Sequence, residues 1–232
     1  MRVLLALLIL IVVMTSDAGS QSYDSAMVFD LGYAASSPGW SVCYAPIVGS
    51  PLWIVGTVET FNAPFTDLLP PSGTYEATYV FEGMIHVGGY DYGDGCGSIF
   101  EGGGFKIYID QSPDANPADV STYRDGELVL EASLQGDFYL ETNVADYLCP
   151  DFDPTHPTQW GSFLFCGGSW FSHVSDGNGQ GYWAHNKGCF YEEVPEEVRQ
   201  MGYMGLSDSW INIQVPISAD ASTWGAIKAL YR

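Results

Sequence analysis

Four stretches of this chain alternate apolar and polar residues with a period of two, and that period confines them to strands. Tyr75, Ala77, Tyr79 and Phe81 share one face, against Glu76, Thr78 and Glu82 on the other. Phe105, Ile107 and Ile109 alternate with Lys106, Tyr108 and Asp110, and Leu128, Leu130, Ala132 and Leu134 with Glu127, Val129 and Glu131. Ile211, Ile213, Val215 and Ile217 repeat the pattern. Only an extended backbone sends every second side chain to the same face. Runs at 27–31, 52–61, 138–144, 163–166 and 181–184 read as further strands.

The intervening stretches 62–73, 88–104, 110–126, 150–161 and 175–181 are dense in Gly, Pro, Asp, Asn and Ser. These residues supply positive or fixed φ and local side-chain hydrogen bonds, so each stretch reads as a turn region. About ten short strands joined by polar loops predict an all-β fold. The expected architecture is an antiparallel β-sandwich, with a jelly-roll-like arrangement as one form of it and a short C-terminal helix. No charge run or Ser/Gly linker divides the chain, so 21–232 reads as a single domain.

Two helices are legible. Pro195 to Met201 has proline at its first position, acids in its first turn, Arg199 near its end and Gly202 beyond it. That is the usual asymmetry of helix starts and stops. The second is the tail 222–232, STWGAIKALYR, capped by Ser222 or Thr223, with Trp224, Ile227 and Leu230 on one face. The tail reads as a helix docked on a sheet, with recognition by an export or attachment system as the sharper alternative.

The N-terminus predicts export. Met1-Arg2 is a basic start, Val3 to Met14 is uninterruptedly apolar, and Thr15 to Ser20 is a small, polar exit. This order is that of a secretory signal peptide over 1–20, and its apolar run is shorter than the ~20 residues a spanning helix needs. Cleavage is expected after Ser20, with Ala18 and Ser20 at the two small positions. No cysteine follows until Cys43, which argues against a lipid anchor at the cleavage site. The mature chain is expected to be secreted or held at the cell surface, with no membrane span.

Losing Arg2 and Asp17 leaves six basic residues against 27 acidic ones, so the net charge stays at −21. Such a polyanion repels phosphate backbones, which excludes nucleic acid as a partner. Cys43, Cys96, Cys149, Cys166 and Cys189 remain after export. An oxidising compartment favours disulfides, and the odd count leaves one thiol over. Short loops favour bonding among Cys149, Cys166 and Cys189, with Cys96 or Cys43 as the remainder. No Cys-x-x-Cys occurs, which excludes zinc ribbons and thioredoxin-like motifs.

Catalytic motifs are missing. There is no Gly-x-Ser-x-Gly elbow, His-Glu-x-x-His, P-loop or dinucleotide fingerprint. No catalytic residue is nominated. The densest group of functional side chains runs from Asp151 to Cys189 and holds Asp153, His156, His173, Asp176 and His185, with Trp160, Trp170 and Trp183 interleaved. Within it, Asp176, Asn178 and Gln180 place oxygen ligands at alternate positions among glycines, as a calcium loop does. Lys187 stands where an EF-hand carries its bidentate Glu, and a hairpin turn also accounts for the glycines. Calcium is therefore a cofactor the chain could take, with two imidazoles and a carboxylate of this span as an alternative metal set without diagnostic spacing, and none is required.

Trp170, Tyr182 and Trp183, with His173 and His185 nearby, are the candidate ligand-binding residues. Exposed rings stack on the apolar faces of sugars. The leading expectation is a non-catalytic exported protein that binds a ligand or surface partner, glycan first. The alternatives are a secreted polysaccharide hydrolase using a carboxylate pair, and a structural envelope component targeted through its tail.

Overall fold

The computed structural model describes residues 20–36, 47–71, 73–91, 95–143, 159–191, 195–203 and 205–216, and among these residues nine strands and one α-helix follow one another. The strands are β1 (Ser20–Ala35), β2 (Pro51–Phe61), β3 (Glu76–Asp91), β4 (Gly95–Glu101), β5 (Gly104–Asp110), β6 (Glu127–Asn143), β7 (Gln159–Gly167), β8 (Trp183–Tyr191) and β9 (Gly205–Pro216). The helix α1 (Glu196–Gln200) begins after Pro195, and Gly202 follows it at φ 96°. The leader, the tail 222–232, Cys43, Cys149, Asp151, Asp153 and His156 lie outside the described residues.

The strands close on themselves. β1 pairs with β2, β2 with β3, β6 with β7, β7 with β8 and β8 with β9, and β9 returns to β1, all antiparallel. β4 and β5 lie end to end between β3 and β6, β4 on their second halves and β5 on their first. The result is an up-and-down barrel of eight staves, one of them made by β4 and β5 together. The expected sandwich or jelly-roll is therefore wrong. Alternation marks the inner face of a sandwich and of a barrel alike, so it carries no information on closure.

What closes the ring is the length of the strands and where they bend. The sequence breaks 75–143 into short strands and turns, whereas β3 has 16 residues and β6 has 17. The Gly-rich stretch 88–104, expected to be a turn region, holds the end of β3 and all of β4. The bends stand side by side: Gly83 in β3 at φ 73°, Gly102 and Gly103 between β4 and β5 at 73° and 66°, and Gly136 in β6 at 83°. A Cβ on Gly83 would lie 3.1 Å from the Gly103 Cα, and the Gly103 carbonyl accepts from the Leu134 N–H at 2.9 Å. Three neighbouring staves thus turn at one level, the kind of corner that lets long strands curl into a barrel.

The interior is filled with rings. Phe81 sits at the centre, with centroids 5.5 Å from Phe105, 5.7 Å from Phe163, 5.8 Å from Tyr79, 5.9 Å from Phe138 and 6.0 Å from Phe29. One end is plugged by Phe61, Phe65 and Trp170, the last two stacked at 5.9 Å and 25°. Toward the other end the interior turns polar. Gln159 donates to Asn186 at 3.0 Å, Ser207 donates to Gln159 at 2.6 Å, and Asn186 donates to Ser209 at 3.2 Å. These buried groups satisfy one another, as buried polar groups must.

Different coverings divide the outer surface. Over β1 to β3 a second apolar cluster forms, where Tyr123 and Tyr203 pack on Ala35, Val55 and Val80. Over β3, β5 and β6, Glu82 holds Arg124 at 2.8 Å and Lys106 at 2.9 Å. An interior filled with packed rings differs from the polar lumen of a membrane-spanning barrel. Among the described residues, no helix is long and apolar enough to cross a membrane.

Candidate functional site

The wall formed by β6, β7, β8 and β9 carries neither covering. Its side chains follow from the phase of β7: Gly161, Phe163 and Phe165 are buried inward, so Trp160, Ser162 and Leu164 face out. Register then builds three rows across the strands. The first runs Tyr139, Trp160, Lys187 and Trp210. The second runs Ser162, His185 and Asn212, and the third Leu164, Trp183 and Gln214.

Rings occupy the two outer rows and hydrogen-bonding groups the middle one. Tyr139 and Trp160 stack at 4.9 Å and 14°. The Tyr139 hydroxyl donates to Asp137 at 2.7 Å, and that bond holds its pKa above the ordinary phenol value. Trp183, 41% exposed, lies parallel to His185 at 6.4 Å and 10°. His185 Nδ1 is 2.9 Å from the Ser162 Oγ and its Nε2 is 3.4 Å from the Gln214 Oε1. Trp210, which ends the first row, is buried. Lys187 makes no ion pair among the described residues.

Ser162, His185 and Gln214 resemble a nucleophile, a base and an orienting group, but the chemistry does not follow. A neutral amide cannot stabilise an imidazolium as a carboxylate does. Ser162 and His185 face each other in a paired ladder, whose N–H groups are engaged between strands, where an oxyanion hole needs donors aimed at the reacting oxygen.

Of the five ligand-binding residues expected from sequence, the structure brings Trp183 and His185 together. Trp170 is in the end plug, Tyr182 packs against the core, and His173 is exposed at the end of a 3-10 turn. Tyr139, Trp160, Ser162, Lys187 and Gln214 complete the wall and were not nominated. The signal for them was present, since Trp160 is out of phase with Phe163 and Phe165.

The loop of Asp176, Asn178 and Gln180 is a turn held by its own carboxylate. Asp176 Oδ1 accepts the Asn178 N–H at 2.9 Å and the Gln180 N–H at 2.8 Å. These backbone donors, Gln180 foremost, hold the Asp176 pKa below the usual carboxylate value. Among the described residues, the carboxylates that converge are Asp110, Asp114 and Asp125, with ligand oxygens within 4.8 Å of one another at the plugged end. Desolvation, then the charges of Asp125 and Asp110, raise the pKa of Asp114.

Cys96 and Cys189 are disulfide-bonded and Cys166 is the free, exposed thiol. No disulfide joins two of the described residues. The expectation that Cys166 bonds and that Cys96 is a candidate remainder is thus corrected. Cys166 faces outward from β7 with its Sγ on the Glu131 carbonyl at 3.6 Å, whereas Cys96 and Cys189 are buried. Loop length measured along the chain did not anticipate which thiols are buried.

Comparison with known protein families, with curated proteins and with solved structures finds no match for this chain.

Proposed function

We propose that this protein is an exported, non-catalytic binding barrel whose β6–β9 wall takes carbohydrate. One observation carries the reading: the stacked pair Tyr139 and Trp160 on one side and Trp183, parallel to His185, on the other flank a row of hydrogen-bonding side chains on this wall. Aromatic faces matched to C–H surfaces, with a few fixed polar groups for hydroxyls, are what a sugar site requires. Export is supported by the leader and by the disulfide-bonded state of Cys96 and Cys189. Cleavage after Ser20 would remove only the first residue of β1 and leave the ring intact.

A glycan array on the mature chain 21–232, run in calcium and again in EDTA, tests this. Binding is expected to survive EDTA and to weaken for longer glycans in Trp183→Ala, whose melting temperature should match the parent because the ring is 41% exposed. Binding that requires calcium would move the site to the acidic loops at the plugged end. Silence on neutral glycans under both conditions would remove the carbohydrate reading.

A further inference from the structure

We infer that the wall takes an extended, neutral β-1,4-linked oligosaccharide across two aromatic subsites, and not a single sugar. This rests on the carbohydrate reading above. The spacing of the two indoles is set by register. Trp160 and Leu164 are four residues apart on β7, and Leu164 is the partner of Trp183 on β8. At about 3.3 Å per residue the backbone positions that carry the two indoles stand about 13 Å apart along the strands, and one strand apart across them. One sugar ring cannot touch both.

Between the indoles lies the polar row. Ser162 in that row and Gln214 beside Trp183 bracket the two nitrogens of His185, which fixes the imidazole in place halfway along the path. The path is straight because it follows two paired strands, and an equatorially linked pyranose chain is the glycan that stays straight over that length. Charge selects the neutral form. The chain carries −21, so a uronic or sulfated polymer would meet long-range repulsion, and Lys187 is the wall's one cation among the described residues. Lys187 beside Trp160 is placed to donate to a hydroxyl or ring oxygen at the first subsite.

Two weak subsites on one rigid wall make affinity depend on ligand length, because the second contact forms at high effective concentration. Isothermal titration of the purified protein with β-1,4-linked glucose, xylose, mannose and N-acetylglucosamine oligomers, from monomer to hexamer, reads this. At least one series should gain about tenfold or more in affinity between dimer and tetramer and then level off. Trp160→Ala and Trp183→Ala should each flatten that rise while leaving short oligomers within about threefold, and Trp183→Phe should restore most of it. Thermal melts of the same samples confirm that the variants are folded. Equal affinity at every length, or a tetramer indifferent to either indole, would overturn the two-subsite inference and leave the carbohydrate reading standing. No binding by any series would bring down both.

Discussion

Asp208 shows how a single side chain is set against its surroundings. It lies on β9, half-buried, where desolvation comes first and the charges of Asp30 and Glu59 second in raising its pKa above the usual carboxylate value. A group that holds its proton more tightly folded than unfolded favours the fold while protonated. That contribution is present below the ordinary carboxylate pKa and is lost as pH climbs through the raised folded value. Ionised Asp208 therefore opposes folding at neutral pH. Asp208→Asn should melt higher than the parent at pH 7, and the gap should close as pH falls through about 4, the range where an ordinary carboxylate titrates. A gap that is constant with pH would mean that the charge is not what Asp208 contributes.

At the scale of the elements, the corner where β3, the β4–β5 stave and β6 bend together is the feature most exposed to a single change. Gly103 has φ 66°, and a Cβ there would run into the backbone of Glu82, Gly83 and Met84 on the neighbouring stave. Gly103→Ala meets both an unfavourable backbone conformation and a main-chain clash that no rotamer relieves. A loss of about 1–3 kcal/mol, read by urea unfolding, is expected from strain of that kind. Gly136→Ala, where φ is 83° but a Cβ would meet nothing within 4 Å, should cost less. If the two substitutions cost the same, the close approach of the staves is not what the corner depends on.

The whole molecule is governed by closure and by charge. Four of the chain's seven Lys and Arg residues lie among the described residues; two of these, Lys106 and Arg124, converge on Glu82. The remaining acids repel one another over distances that salt can screen, with a Debye length of about 8 Å at physiological ionic strength. Melting temperature should therefore rise between about 10 mM and 0.5 M NaCl as the self-repulsion is screened. A fall would show that the Glu82 ion pairs outweigh the net charge.

Much of this barrel is legible in the residues. Ala77, Tyr79 and Phe81 in β3, Phe105, Ile107 and Ile109 in β5, and Ile211 and Ile213 in β9 are buried on the faces their alternation predicts. The helix between Pro195 and Gly202 is placed by its flanking residues. Glycine was the misleading signal, because it marks a chain reversal in one place and a bend or a close approach in another. Gly97 is such a case: it lies inside β4 and leaves room for the Tyr90 ring. The candidate wall was half legible, since Trp183 and His185 share a strand face by local spacing, whereas Tyr139 and Trp160 meet only across β6 and β7.

Local sequence by itself thus determined where the strands run and which side chains point to the core, because a period of two is a property of one strand. It could not determine which strands are neighbours. Pairing of the first strand with the last, end-to-end placement of β4 and β5, and the assembly of one wall from four staves depend on long-range hydrogen bonding and packing. A sandwich and a barrel bury the same alternating faces, and only the tertiary structure chose between them.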